Sequence, residues 1–228
     1  MNVIIGDSRT RGLDRVEGPK GTVEVWCKPG AGCKKVENMI NEHYFLHHGG
    51  QPIYSEQQHY YIMAGICDIT TRVKICSKRY EETIYQEMPS ETIQKMKQNF
   101  SQIQKQILDI GAKPIICTIY PVEIQCWNST RKTQNKTKFL SHSDSYSQMQ
   151  TSLNEAVLGV NDSIIALNKV ARVSTPMLHR CMLHNHTGAK KPWKFQKLVD
   201  GCHPTPMLNR SIAASIKRSI LLNREKTD

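Results

Sequence analysis

Four short segments of this chain set residue types that do chemistry beside glycines. They are Gly6-Asp7-Ser8 near the start, Lys28-Pro29-Gly30-Ala31, Gly65-Ile66-Cys67-Asp68, and Asp200-Gly201-Cys202-His203 near the end. A serine, a histidine and an aspartate are the set that acyl transfer requires. A serine hydroxyl is a poor nucleophile until a base takes its proton, so Ser8 needs a histidine within hydrogen-bond reach, and His203 is the candidate. That histidine needs a carboxylate to fix its tautomer and to stabilise the imidazolium. Asp200 stands three residues before it, on one short turn. Each residue also has a plain alternative. Ser8 caps a following helix, Asp200 and His203 form an ordinary turn, and Gly30 simply turns the chain after Pro29. Arg9 and Arg11 are either solvated helix residues or cations that meet an anionic substrate.

These segments need elements to hold them. Residues 2–5, 22–27, 60–66 and 113–120 are near-continuous apolar runs, which suit strands covered on both faces, and residues 175–178 form a weaker fifth. Between them the period changes to that of helices. Ile93, Met96, Phe100, Ile103, Ile107 and Ile110 step by three and four, as do Met149, Leu153, Val157, Val160, Ile164 and Leu167. Leu208, Ile212, Ile216 and Ile220 repeat the pattern behind Thr205 as cap and Pro206 in the first turn. Residues 33–48 fill the remaining helical slot. Strand and helix alternate from end to end, which predicts a three-layer α/β/α domain around a mostly parallel five-stranded sheet. In such folds the ligand crevice lies outside the carboxyl ends of the strands. The first three segments follow strands, and the fourth precedes the last helix. Residues 122–142 are polar and too long for an ordinary connection. They are expected to form a surface insertion, a lid or a basic loop, within a single domain over 1–228.

Composition narrows the classes. A mean hydropathy of −0.49, with no apolar run near 18 residues, excludes a membrane-spanning helix. A chain of 228 residues buries enough surface to fold without disulfide or metal. Residues 1–5 lack the basic start of a secretion signal, so an intracellular location and reduced thiols are expected for the eight cysteines. The net charge of +11 favours acidic partners, although solubility alone accounts for such a balance as well. The surplus gathers at Lys190, Lys191, Lys194 and Lys197 and again at Arg131, Lys132, Lys136 and Lys138. No nucleic-acid-binding motif accompanies it, so only generic phosphate attraction is supported. Cys181-x-x-His184-x-His186 lacks an obvious fourth ligand for zinc and reads as a polar loop. His47 and His48 read as surface residues.

In their order, strand context and separation, the four segments resemble the GDSL-type esterase/lipase family, also called SGNH hydrolases, over nearly the whole chain. Gly6-Asp7-Ser8 is similar to its nucleophile motif, Gly30 stands at its oxyanion glycine, and Asp200-x-x-His203 is similar to its closing block. The resemblance implies a flavodoxin-like fold and a serine esterase working through an acyl-enzyme on a small ester. Ser8, Asp200 and His203 would be its triad, the backbone N–H groups of Ser8 and Gly30 its oxyanion donors, and no cofactor or metal is implied. Gly65-x-Cys67-Asp68 departs from the pattern, because the family carries an asparagine at the position of Cys67. A thiol is a weak donor, and losing one oxyanion donor typically costs about 10²–10³ in turnover. A small basic chain of this kind is also similar to the SGNH-like domains of some non-LTR retrotransposons. That implies a module beside nucleic acid, with weak or absent hydrolysis and basic loops on phosphates.

Overall fold

The apolar runs near the start of the chain become the centre of a parallel sheet. The computed structural model describes residues 2–13, 17–18, 21–51, 58–75, 80–134, 143–183 and 193–224. In chain order the elements are β1 (Asn2–Gly6), a 3-10 turn (Ser8–Thr10), β2 (Glu17–Gly18), β3 (Gly21–Thr22), β4 (Glu24–Cys27), α1 (Cys33–His48), β5 (His59–Met63), α2 (Ile66–Ile69), β6 (Thr71–Ile75) and β7 (Tyr80–Ile84). There follow α3 (Pro89–Asp109), β8 (Lys113–Ile116), α4 (Ile124–Gln134), α5 (Ser143–Val170), two further 3-10 turns and α6 (Pro206–Arg224). The central sheet runs β4-β1-β5-β8 with every pairing parallel.

Every residue of β1 and β5 is buried, as unalternating apolar strands require. Successive residues of β5 serve opposite faces. The Tyr60 hydroxyl reaches His43 of α1, whereas Tyr61 lies beside Ser219 and Asn223 of α6. The helical stripes expected from the sequence are the core-facing ones: Met96, Phe100, Ile103 and Ile107 of α3, Leu153, Val157, Val160 and Ile164 of α5, and Leu208, Ile212, Ile216 and Ile220 of α6 are all buried. Each such side chain contributes roughly 1.5–3 kcal/mol of burial. Thr205 Oγ1 accepts from Leu208 N at 3.3 Å and caps α6. Among the described residues no helix is long and apolar enough to cross a membrane, and the seven described cysteines are free thiols.

Two expectations need correction. The sheet has four strands among the described residues, not five. The free edge beyond β8 is satisfied by asparagines of α5 instead of a strand. Asn168 accepts from Ile116 N and donates to Ile116 O, and Asn161 does the same for Ile119. The 175–178 segment supplies the Pro176 carbonyl to Thr118 N, and a proline has no N–H to continue a ladder. The 122–142 stretch is likewise not simply a loop, since its first half is α4; residues 135–142 lie outside the described part. A hairpin of β6 and β7, with Thr71 opposite Ile84, was not anticipated.

Candidate active site

The sheet order reverses between β1 and β5, where one connection leaves toward β4 and the other toward β8. A crevice opens at such a point. The strands approach closely there: a Cβ on Gly6 would stand 2.2 Å from the Met63 carbonyl oxygen, so only glycine fits. The chain then turns sharply into the 3-10 segment. Asp7 caps it, its Oδ1 accepting from Arg9 N at 2.9 Å. The same carboxylate pairs with the Arg9 guanidinium, at 3.2 Å from Nε and 2.8 Å from Nη2 to Oδ2, with both side chains buried. Arg9 also donates to the Tyr120 carbonyl at 3.2 Å and lies over the Tyr120 ring. Burial opposes its charge, but the Asp7 carboxylate and the bonds to it prevail, and the guanidinium is held more firmly protonated. Arg9 is therefore a structural cation. Asp7 does the capping, which leaves the Ser8 hydroxyl unengaged by the turn.

Ser8 Oγ lies 2.9 Å from His203 Nε2, and His203 Nδ1 lies 2.7 Å from Asp200 Oδ2. A carboxylate can only accept, so Nδ1 carries the proton and Nε2 is free to accept from the serine O–H. Asp200 Oδ1 takes the backbone N–H groups of Cys202 at 3.0 Å and His203 at 2.7 Å. Burial works to raise the Asp200 carboxyl, but these hydrogen bonds and the facing imidazole outweigh it and hold it below its ordinary value. The loop is anchored from both sides. Val199 N donates to the His203 carbonyl, and Glu123 N donates to the Gly201 carbonyl at 2.7 Å. At Gly201 a Cβ would sit 2.7 Å from Trp127 N, so the loop can rest on α4 only through a glycine.

Ser8 and His203 open onto a cleft of about 710 Å³ lined also by Arg11, Gly30, Lys35, Cys67, Arg72, Thr83 and Trp127, with Asp200 behind His203. Gly30 follows β4 and Cys67 follows β5, so both reach the cleft that Ser8 and His203 line. Among the described residues, neither the Ser8 N–H nor the Gly30 N–H meets an acceptor. Cys67 is kept as a neutral thiol, chiefly by burial and further by the Asp7 charge, which disfavours it as a second nucleophile. Asp68 works elsewhere: both of its oxygens accept from Cys33 N, at 3.0 and 2.9 Å, at the first turn of α1. It thereby ties the Cys67 turn to the loop that carries Gly30. Burial nonetheless pushes its carboxyl upward.

Sequence reasoning missed Trp127. Its ring meets the His203 imidazole edge-on with centroids 5.3 Å apart, and its Nε1 donates to Thr83 Oγ1 at 3.1 Å. Asn128 beside it clamps the Thr83 backbone in both directions. Nothing in a polar stretch signals that one tryptophan will wall a cleft. Arg11, undecided from sequence, is exposed at the rim. Lys190, Lys191, Lys136, Lys138, His184 and His186 lie outside the described residues, as do the side chains of Arg131 and Lys132. Cys181 is half-buried, and its carbonyl accepts from Lys197 Nζ at 2.6 Å.

No sequence-family model matches the chain, and no curated protein matches it in sequence. Solved structures do match in shape. A GDSL-like lipase from Bacteroides thetaiotaomicron aligns at a TM-score of 0.56 and 16% identity, over 97% of this chain and 87% of that one. Est24, a carbohydrate acetylesterase from Sinorhizobium meliloti, aligns at 0.55 and 12%, over 97% and 98%. The OSK domain of Drosophila Oskar aligns at 0.54 and 12%, over 95% and 86%. Identities this low establish the architecture alone: the chain has the fold of the SGNH hydrolases.

Proposed function

We propose that this chain is a serine esterase in which Ser8 attacks an ester carbonyl, His203 takes and returns the proton, and Asp200 orients His203. The observation that carries the reading is the continuous line Ser8 Oγ–His203 Nε2, His203 Nδ1–Asp200 Oδ2, at 2.9 and 2.7 Å. Attack forms the Ser8 Oγ–carbon bond and passes the serine proton to Nε2. Collapse then expels the alcohol, which leaves with that proton, and water repeats the sequence to release the acid. The backbone N–H groups of Ser8 and Gly30 face the developing oxyanion, with Cys67 adding little. Arg11, Lys35 and Arg72 among the lining residues favour a short, polar or anionic ester over a long acyl chain. The test is hydrolysis of p-nitrophenyl acetate. Turnover that Ser8→Ala abolishes supports the reading, and equal rates in both proteins reject it.

A second reading, a module associated with nucleic acid, draws on a different surface. A cleft of about 670 Å³ gathers Arg180, Lys194, Lys197 and Arg218 with serine and threonine hydroxyls and, among the described residues, no carboxylate in its lining. Such a lining suits phosphate oxygens. Binding to single-stranded DNA across a salt series tests it: affinity that falls steeply with salt supports the role, and a flat response removes it.

A further inference from the structure

At the amino ends of the strands, away from the cleft, three ligand-type side chains converge. Glu24 opens β4 and pairs with Val3, at the far end of the register from the Gly6–Cys27 pair that leads to Ser8. His43 and His47 are four residues apart on α1 and so share one face of the helix. His43 Nε2 lies 3.1 Å from Glu24 Oε2, and His47 Nε2 lies 3.3 Å from Glu24 Oε1. One ligand atom from each residue falls within 4.8 Å of the others. The two imidazoles stack at 4.5 Å between centroids.

The surroundings favour an ion over a bare ion-pair cluster. Tetrahedral zinc, with bonds of about 2.0–2.2 Å, needs ligand atoms about 3.3–3.6 Å apart; the Glu24–histidine distances of 3.1 and 3.3 Å are near that, and all three ligand atoms lie within 4.8 Å. A ligating histidine needs its second nitrogen held by an outer partner. The side chain of His43 is wholly buried, and its Nδ1 lies 2.8 Å from the Tyr60 hydroxyl, which accepts from Gln58 at 3.3 Å. The His47 side chain is 41% exposed, which leaves a fourth position open to water.

We propose that Glu24, His43 and His47 form a site for a divalent transition-metal ion, zinc by its ligand chemistry, which pins the edge strand β4 to α1. On binding, His43 presents its Nε2 lone pair and donates its Nδ1 proton to Tyr60. Glu24 exchanges its contacts with the two histidines for the ion. Trp26 supplies a reporter, since its Nε1 donates to Glu24 Oε1 at 2.6 Å and its ring lies 5.2 Å from that of His43. Zinc chloride is titrated into the chelator-treated full chain, followed by calorimetry and tryptophan emission. The expected result is one ion per chain with a change in emission. Glu24→Gln and His47→Ala, each checked for native circular dichroism, should bind about a hundredfold more weakly or worse. Thermal stability should rise with zinc in the wild type and not in these variants, and Ser8→Ala should bind zinc like the wild type. Absence of saturable uptake, or uptake undiminished in both site variants, overturns the proposal.

Discussion

Replacing Asp200 by asparagine has a consequence that the hydrogen bonds around it dictate. Oδ1 accepts from two backbone N–H groups, those of Cys202 and His203, while Oδ2 faces His203 Nδ1. In Asp200→Asn the amide oxygen must take the place of Oδ1, because an NH2 there would face two donors. The amide nitrogen then lies against Nδ1 and donates to it. His203 is driven to the tautomer with its proton on Nε2, 2.9 Å from Ser8 Oγ, where it cannot accept the serine proton. The charge that stabilises the imidazolium is lost as well. Together these should lower kcat by about 10⁴-fold, or about 5.5 kcal/mol of transition-state stabilisation. The two backbone bonds survive, so folding should lose only about 0.5–1.5 kcal/mol. Hydrolysis of p-nitrophenyl acetate measures the first quantity and urea unfolding the second. A kcat within tenfold of wild type, in a protein that Ser8→Ala inactivates, would refute the claim that Asp200 sets the tautomer of His203.

Cys67→Asn places an amide N–H on the wall that carries the thiol, and kcat should rise by up to about 10²-fold with KM changed less, while Cys67→Ser gains little. Unchanged turnover in a folded Cys67→Asn protein would show that Cys67 does not face the oxyanion. Arg9→Met strands the buried Asp7 carboxylate, so urea unfolding should register a loss of about 3–5 kcal/mol; a loss below about 1 kcal/mol would contradict the role given to that pair. Burial, with the Arg180 charge adding to it, pushes the His179 imidazole down to about 4. The unfolded chain therefore binds more protons than the folded one between that value and the free imidazole value of about 6.5. Stability should fall as pH drops through that window, by up to about 3 kcal/mol from this residue. His179→Phe should flatten the slope, leaving the share that His43, also lowered by burial, contributes in the same direction. An unaltered pH dependence would refute it.

The chemistry-bearing segments were legible because each sits at the end of a strand or ahead of a helix, where apolar periodicity stops. Ser8, Gly30, Cys67, Asp200 and His203 could be named from that pattern; the cleft gathers four of them, and Asp200 stands behind His203. What pattern could not show was tertiary substitution. Asn161 and Asn168 read as polar interruptions on a helix, yet Asn168 bonds the edge of β8 and Asn161 the chain just beyond it, where a fifth strand was expected. Asp68 sits in a motif block but spends its carboxylate on the start of α1. Trp127 lies in a polar stretch with no apolar stripe to place it, and its own hydrogen bond to Thr83, with the clamp of Asn128 on Thr83, holds it against His203. His47 is exposed, as read from the sequence, but its contact with Glu24, twenty-three positions away on a strand, was not legible there.

The central claim, that Ser8 is an activated nucleophile, is tested most directly by phosphonylation. The full chain is treated with a fluorophosphonate and the modified residue is located by mass spectrometry, alongside Ser8→Ala and His203→Ala. A serine made nucleophilic by a base loses its proton to that base as it displaces fluoride, forming a stable Oγ–P bond. The expected result is a single adduct on Ser8 in the wild type, none in Ser8→Ala and strongly slowed labelling in His203→Ala. No adduct on Ser8 in the folded wild-type protein, or labelling as fast in His203→Ala, would contradict the account.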